Sequence, residues 1–580
     1  MSVFVAKPTL REWRLIMKTK SFRFGTALVL GTLVLAVAGA VVPAQAQIDP
    51  IEPKDDAIND ALAVPANPGA PSAATYTVLD NFLTGGPGPQ WPGGYLPQGR
   101  DGDLYGWSYT GGITNNGSIW KTDPSGTVSV IYNFASGNEC QNGMTLGTDG
   151  NFYGTADTNC TGGGYVFKIT PTGTLTVLHT FTGTPDGYGP GPLTLYTDGN
   201  FYGVTGLGGA NNVGSVFKIT PTGTLTILYS FAANIGFDTP SYGLTVGNDG
   251  NFYGTTVNGN GTVFKMTPSG VVTVLHTFTG FPDAFFPATG VILGKDGNFY
   301  GNTQYGGTQN VGTIFKMTPS GTVTILHSFN QPSDYATNPT APLLQATDGN
   351  FYSAADSCTQ FGCGAQDLYE MTPSGTLTVL QEFTASYPYW SLIQDTNGIM
   401  YGVTQQGGTV NGGVLFSLNI GAAPFASLVS TSGKEGAKIG ILGQGFSSSS
   451  VVKFGGVQAT TIARSGTTFI NATVPAGALT AAVTVTTGAT TLTSPQTFKV
   501  TPTFPSFNPT SGPVGTPVVL TGTGLTRTTK VTFGGVKATT VTVNSDTQVT
   551  ANVPTGARTG KIVITTLGGS VKSATIFTVN

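Results

Sequence analysis

The sequence predicts an all-β protein: a seven-bladed β-propeller closed by an N-terminal strand, followed by two smaller β-domains. Three observations lead there. A phrase close to DGNFYG recurs through the first two thirds of the chain, and a second pattern repeats once near the C-terminus at a constant offset of 79 residues. Charged residues make up only 9% of the 580, against about 25% in ordinary domains, while Gly alone numbers 84. Glu, a good helix former, occurs six times, at 12, 52, 139, 370, 382 and 435. Gly-rich turns alternating with runs of Val, Ile, Thr, Phe and Tyr are the signature of short strands.

The N-terminus is a targeting segment. Lys18, Lys20 and Arg23 precede an uncharged apolar run from Thr26 to Val42, and Ala44-Gln45-Ala46 offers small residues at a cleavage site. Residues 1–46 are therefore expected to be a secretory signal peptide, with Met17 as an alternative start. The rival reading is an uncleaved membrane anchor, since the run is at the short limit for a spanning helix. Removing 1–46 takes away six basic residues and one acidic one, so 25 basic and 28 acidic residues become 19 and 27, a net −8. With no basic block left, nucleic acid is not expected as a partner. Residues 47–74, rich in Pro, Ala and Asp, form a flexible linker.

From there the repeat takes over. The Asp of the phrase falls at Asp101, Asp149, Asp198, Asp249, Asp296 and Asp348, and Asn397 holds the place in a weaker seventh copy. The spacings run 48, 49, 51, 47, 52 and 49. Each unit carries four strand signals. In the fourth these are YGLTVGN, a hairpin turn at Asp249-Gly250 read as a primed turn with both central φ positive, NFYGTT, GTVFKMT, a TPSG turn, and VVTVLHTF ending at Phe278. Four short strands with tight turns describe one propeller blade. Fourth strands end at Phe134, Phe181, Phe231, Phe278, Phe329 and Phe383, but the seventh unit stops at GGVLFSLNI without one. The missing strand is TYTVLDNF (75–82). An open array would leave two unpaired edges, so the N-terminal strand is expected to close the ring over 75–420.

The DGNFYG phrase, the GG…N-x-G loop and VFK-x-TP-x-G together resemble the GloVer tandem repeat of choice-of-anchor exported bacterial proteins. The resemblance implies export and a propeller-like fold, and no defined activity or catalytic residues. The chain departs from the anchored pattern in ending at IFTVN. Beyond Pro424, ILGQGFSSSSVVKFGGVQAT is echoed by LTGTGLTRTTKVTFGGVKAT, pairing Phe454 with Phe533, Val474 with Val553 and Phe498 with Phe577. NPTSGPVGTPVVLTGTGL and VTFGG resemble the IPT/TIG domains, which implies two immunoglobulin-like β-sandwiches, 424–500 and 501–580. Such domains occur in surface receptors, secreted polysaccharide-active enzymes and some transcription factors; here they are read as a stalk or second contact.

Candidate chemistry is sparse. His179, His276 and His327 take the same slot in three blades and cannot converge on one metal, whose ligands sit at about 2 Å. No metalloprotease, nucleophile-elbow or phosphate-loop motif occurs. The Asp-Gly-Asn phrase lacks the further carboxylates calcium wants. No catalytic residue, metal site or cofactor is therefore assigned. The loops from each fourth strand to the next first strand are longer and differ between units. They hold Trp91, Tyr95, Tyr188, Tyr242, Phe285, Tyr335, Tyr387, Tyr389 and Trp390, accompanied by Phe237, Phe281, Phe286, Asp186, Asp238, Asp283 and Asp334. Function concentrates on such loops over a rigid scaffold, and flat aromatic rings suit sugars or apolar side chains. These nine aromatics are the candidate ligand site; the rival reading folds them down to plug blade interfaces. An even cysteine count in an exported chain suggests two disulfides, Cys140–Cys160 and Cys358–Cys363, each closing a long-loop segment.

Function reads as an exported, non-catalytic binding or adhesion protein of the cell envelope or medium, whose partner is a polysaccharide or a cell-surface protein. The alternatives are a secreted carbohydrate-active lyase or hydrolase with a channel-mouth site, and a structural envelope repeat protein.

Overall fold

A computed structural model describes residues 74–580 except 136–139, 158–162, 233–239, 241, 258, 288, 331–335, 360–361 and 384–391. The signal segment and the linker up to residue 73 lie outside the described residues. Residues 70–580 form one compact unit, and among the described residues there is no helix.

The repeat region is a succession of antiparallel sheets, named here in chain order: A (89–133), B (140–180), C (188–230), D (245–277), E (292–328), F (336–383) and G (393–419). In each of A to F the strands lie side by side in the order of the chain. Sheet G runs Ile393–Gln394, Met400–Thr404, Val414–Asn419, and its outer strand is Thr75–Asn81 from the other end of the chain. The register pairs Thr75 with Asn419, Tyr76 with Leu418 and Asn81 with Val414. Neighbouring sheets touch in sequence, and G returns to A: Gly412 O accepts from Trp91 N at 3.0 Å, and Gln98 Nε2 donates to Thr396 Oγ1 at 2.9 Å. The result is a propeller-like ring.

The recurring phrase is the joint between sheets. In the five motifs from Asp149 to Asp348 the Asp accepts from the Asn amide two residues on and from the Tyr hydroxyl four residues on, and Asp101 accepts from Tyr105 Oη at 2.7 Å; for Asp249 the distances are 3.1 Å to Asn251 N, 2.7 Å to its Nδ2 and 3.0 Å to Tyr253 Oη. The tethered Tyr then stacks on the motif Phe of the next sheet: Tyr105 on Phe152 at 4.1 Å between centroids, Tyr153 on Phe201 at 4.1 Å, Tyr202 on Phe252 at 4.4 Å, Tyr253 on Phe299 at 3.9 Å and Tyr300 on Phe351 at 4.3 Å. The Gly after each Tyr makes room for the third-strand aromatic. A Cβ on Gly254 would meet Phe264 Cζ at 2.6 Å, and one on Gly203 would meet Phe217 Cζ at the same distance. Sheet F has Ser353 there, and its hydroxyl donates to Ala341 O at 2.9 Å.

Two local expectations are corrected. The Asp-Gly turn is not a primed turn, because only Gly250 has positive φ (76°). Gly250 N bonds Gly247 O at 3.0 Å and Gly247 N bonds Asn251 O at 2.8 Å, a tight turn followed by a left-handed glycine. The Asp side chain supplies what a second positive φ would have supplied. The TPSG turn repeats the pattern around Gly270. The inner strand is also shorter than its sequence suggests. In sheet D only Thr245–Val246 pairs, with Pro240 making a separate bridge to Thr256. Gly243 sits in the break, where apolar side chains would have no strand opposite them.

Two β-sandwiches follow. In the first, a sheet of Ser427–Leu428, Lys438–Leu442, Phe469–Thr473 and Ile462–Ser465 faces a second sheet that includes Thr490–Val500 and Ala481–Thr487. The second sandwich repeats the topology, down to a parallel pairing of Ser511 with Thr578 that matches Ser432 with Lys499. Both cores centre on the repeated residues, Phe454, Val474 and Phe498 in one and Phe533, Val553 and Phe577 in the other.

Candidate functional site

The two ends of the ring are not equivalent. At the tight-turn end the first sandwich is docked. Thr468 Oγ1 donates to Arg100 O at 2.8 Å, the Arg100 guanidinium lies 4.4 Å from the Phe469 ring centre, Gln444 Nε2 reaches Thr396 Oγ1 at 2.9 Å, and Lys499 Nζ reaches Asn248 O at 2.7 Å. These contacts fall on sheets A, G and D. Leu442 and Phe469 also share one buried apolar cluster with Tyr105 and Phe152. Beside this junction lies an open cleft of about 440 Å3 between the rim and the segment Ala422–Phe425. Its ammonium, Lys295, is already bonded to the carbonyls of Ala346 and Thr347 at 2.8 Å each, so the cleft reads as part of the junction.

The opposite rim carries the candidate aromatics. Trp91, Tyr95, Tyr188, Tyr242 and Phe285 are all half-buried there. Tyr335, Tyr387, Tyr389 and Trp390 lie outside the described residues, as do Phe237, Asp238 and Asp334. The segments read as loops are partly strand: Pro89–Gly93 and Tyr188–Pro190 pair with the far ends of the second strands of sheets A and C, and Ala284–Phe285 pairs with Tyr305–Gly306. This fixes the aromatics more firmly than loops would. Phe285 stacks on Tyr305 at 5.2 Å, and Tyr188 Oη is 3.4 Å from Asn212 Oδ1.

Backbone conformation singles out part of this set. Among the described residues, the non-glycine positions with positive φ are five Asn and three aromatics, Trp91 (53°), Tyr95 (63°) and Phe286 (60°). Asn tolerates that region; a bulky side chain pays about 1–2 kcal/mol for it. Trp91 is held by the bond of its N–H to Gly412 O, and Phe286 by 3.0 Å bonds to Asn260 O and from Gln304 N. Tyr95 lies against Gly143, where a Cβ would come within 2.9 Å of its ring. Tyr242 neighbours the Tyr95 phenol, and burial followed by that neighbour pushes the Tyr95 hydroxyl well above the usual tyrosine range. The Tyr95 phenol is therefore a neutral hydrogen-bonding group.

Several of the remaining polar candidates have structural partners, whereas the buried Nε2 of His276 has none among the described residues. His179 Nε2 is 2.9 Å from Asp186 Oδ2, whose other oxygen caps Thr182, and Asp283 caps Thr279 in the same way at 2.9 Å to its hydroxyl. The three His stand on the outer strands of sheets B, D and E. Cys358 lies opposite Cys363 in register, and Cys140 opposite Asp157; Cys160 lies outside the described residues. Among the described residues no three His, Cys, Asp or Glu are grouped to hold a metal ion, and no helix is long and apolar enough to cross a membrane.

The docked rim was not legible from the sequence. Its signal is the slot before each motif Asp, which holds Arg100, Thr148, Thr197, Asn248, Lys295 and Thr347. The slot varies where the rest of the motif is constant, as expected of positions that meet one asymmetric partner.

A ring of repeat sheets followed by a sandwich domain defines the class as an all-β tandem-repeat protein with a C-terminal IPT/TIG domain, the latter matched over residues 502–579. The Gloeobacter/Verrucomicrobia repeat is matched over residues 92–287 and 256–469, and the chain belongs to that family. No curated protein gives a significant match. Similar solved structures include a fungal alcohol oxidase of the AA5 family in complex with copper, 12% identical over 84% of this chain and 96% of that one, TM-score 0.38. An oligogalacturonate lyase in complex with manganese is 11% identical over 60% of this chain and 96% of that one, TM-score 0.41. A surface glycan-binding protein from Prevotella bryantii is 17% identical over 25% of this chain and 38% of that one, TM-score 0.21. Likenesses this distant carry no information about ligand or chemistry.

Proposed function

We propose that the protein is an exported binding protein whose seven-bladed propeller, residues 75–420, presents an aromatic site for a neutral polysaccharide on its long-loop rim. Two immunoglobulin-like domains, 424–500 and 501–580, complete it, and a signal peptide ending at Ala46 directs it to the cell surface or medium. The observation that supports the site most is the pair of strained aromatics, Trp91 and Tyr95, on the rim that the first sandwich leaves open. Local strain persists where the surrounding structure over-determines it, and it clusters at ligand sites. Aromatic faces with neutral hydroxyls and few charges suit sugar rings better than ionic ligands. On the sequence we assign Tyr335, Tyr387, Tyr389 and Trp390 to the same site, and disulfides Cys140–Cys160 and Cys358–Cys363 to its support.

Affinity electrophoresis of the secreted chain in gels containing amylose, xylan, mannan or pectate tests this reading. Retardation is expected in a neutral glycan, with loss in Trp91→Ala and Tyr242→Ala variants that keep the parent melting temperature. No retardation by any glycan, or variants retarded like the parent, overturns it.

A further inference from the structure

We propose that the second sandwich binds an acidic polysaccharide on the outer face of its five-stranded sheet. This site is separate from the ring's and does not rest on the ring's ligand. Charge is divided unevenly along the chain. Residues 75–420 hold 20 acidic and seven basic residues, whereas residues 501–580 hold six basic residues and one acidic. The six are Arg527, Lys530, Lys537, Arg558, Lys561 and Lys572, and all are exposed. They form no block in the sequence, but strand pairing gathers them on one sheet, built from Val536–Lys537, Thr528–Phe533, Gly560–Thr566, Gly569–Val579 and Ser511–Gly512. Val531, Ile562, Ile564 and Val571 turn to the core, so the residues that alternate with them turn outward. Lys537 lies opposite Thr532, Thr532 opposite Val563, and Val563 opposite Lys572, one row across four strands. The two lysines that end the row are three strand spacings apart, about 14 Å. Lys530 stands two residues to one side of the row and Lys561 two residues to the other. Arg527, whose carbonyl accepts from Leu567 N at 3.2 Å, and Arg558, packed against Gly534, occupy opposite ends of the sheet.

The fold does not require these charges. The first sandwich has the same topology, and at the six equivalent positions it holds Ser448, Val451, Gln458, Leu479, Ala482 and Thr493. Nor does the domain neutralise them. Its one acid, Asp546, sits in a turn of the facing sheet and bonds Gly524 N and Thr526 Oγ1. Among the described residues none of the six forms an ion pair. Lys561 Nζ rests on the carbonyls of Ser573, at 2.9 Å, and Ala574, while the ammonium groups of Lys530, Lys537 and Lys572 make no hydrogen bond among those residues. Like charges gathered without counter-charges attract a polyanion. The rest of the face selects which one. Residues 501–580 contain no Tyr or Trp, and their four Phe are buried, so nucleic-acid bases have nothing to stack on. Ile576 and Leu567 are the large apolar side chains exposed on the face and at its end, too few to enter a bilayer. Between the lysines stand hydroxyls, with Thr565 Oγ1 and Ser570 Oγ 2.9 Å apart. Ammonium groups interspersed with hydroxyls complement a chain that carries carboxylates and hydroxyls on every sugar.

Polygalacturonate and its methyl ester share a backbone and differ in charge, so the pair tests the proposal directly. The secreted chain is titrated against each by biolayer interferometry, and against duplex DNA and phosphatidylglycerol–phosphatidylcholine vesicles. Binding is expected to polygalacturonate, to weaken as salt rises from about 50 to about 200 mM, and to be absent with the ester. DNA and vesicles are expected to bind more weakly. A triple variant, Lys530→Gln with Lys537→Gln and Lys572→Gln, should keep the parent melting temperature, since all three side chains are exposed, and should bind about tenfold or more weakly. Trp91→Ala should bind polygalacturonate like the parent, which separates this face from the ring. The proposal is overturned by no binding to polygalacturonate, by equal binding to the ester, or by a triple variant that binds like the parent. DNA or vesicles bound as tightly as polygalacturonate, or loss of binding in Trp91→Ala, also overturns it. None of these results bears on the neutral-glycan reading of the ring, whose own test uses uncharged glycans.

Discussion

At the scale of single residues the repeat is a chain of dependencies: Asp fixes Tyr, Tyr stacks on the next Phe, and the following Gly clears the way for the third-strand ring. Each is separately testable in sheet D. Tyr253→Phe removes a 3.0 Å bond to a carboxylate and is expected to cost about 1.5–3 kcal/mol. Gly254→Ala places a methyl 2.6 Å from Phe264 Cζ and 3.1 Å from Leu244 Cδ2, and overpacking of this kind costs about 1–3 kcal/mol. Urea titration reads both; a Gly254→Ala chain as stable as the parent would show that the ring yields freely. The same cluster sets acid sensitivity. Burial raises the Asp249 carboxyl, but bonds from Lys265, Asn251 and Tyr253 outweigh it and hold it at about 2, against an ordinary 3.8. Its contribution is complete above 3.8 and is lost as pH falls toward 2, so Lys265→Met is expected to move acid unfolding to higher pH. The Asp-Gly and Pro-x-x-Gly turns were legible in sequence as turns. The Asp–Tyr bond was not, because nothing in the spacing shows that the Asx turn aims a carboxylate at the residue four places on.

At the scale of elements the sequence told most about closure and least about the inner edge. A seventh unit without its last strand, and a spare strand at the far end of the chain, pointed to the pairing of Thr75–Asn81 with Val414–Asn419. Tyr76 from that strand packs on Phe383 at 5.6 Å and Phe416 at 5.2 Å, so it ties sheet G to sheet F as well. Deleting residues 75–81 strips a ladder and two ring contacts and is expected to yield an aggregating or weakly cooperative chain; a monomer with the parent's melting temperature would mean the ring closes without it. The inner strands were less legible. Near an axis, room rather than hydrophobicity selects residues, and the resulting Gly and Pro read as loop. For the same reason the sequence groups Tyr95 with rim aromatics in general, although in sheets B to F its slot holds Gly or Pro. The aromatic segment 384–391 falls outside the described residues, so its share in the site rests on sequence.

For the whole molecule the question is how many rigid bodies the chain contains. Sandwich repeats read as a stalk suggest independent beads, since inter-domain motion is the default unless an interface is large and apolar. The two junctions differ in kind. Between the sandwiches, Glu435 accepts from Gly477 N at 2.7 Å and faces Asp546, which accepts from Thr526 Oγ1 at 2.6 Å and Gly524 N at 3.1 Å. Burial, then the bond shared with Asp546, pushes the Glu435 carboxyl up to about 7 from 4.5, while Asp546 is held low. A raised carboxyl stabilises the folded junction fully below 4.5, and that contribution is lost as pH rises through about 7. The second sandwich should therefore sit more firmly at pH 5 than at pH 8, and Glu435→Gln, which can donate at any pH, should abolish the difference in small-angle scattering. An unchanged pH response in that variant would remove the pair as its source. The junction with the ring is of another kind. It combines the apolar cluster of Leu442 and Phe469 with Tyr105 and Phe152, the Arg100 guanidinium over Phe469, and hydrogen bonds to Arg100, Asn248 and Thr396 on three sheets. Phe469 is 2% exposed, and loss of such a ring costs about 3–5 kcal/mol. Ring and first sandwich are accordingly expected to unfold as one transition in calorimetry, with the second sandwich melting separately at pH 8. Phe469→Ala should split the joint transition in two, and a chain ending at residue 420 should melt below the parent ring. Separate transitions for ring and first sandwich in the parent, or an unchanged melting temperature in the shortened chain, would show that the sandwich only rests on the rim.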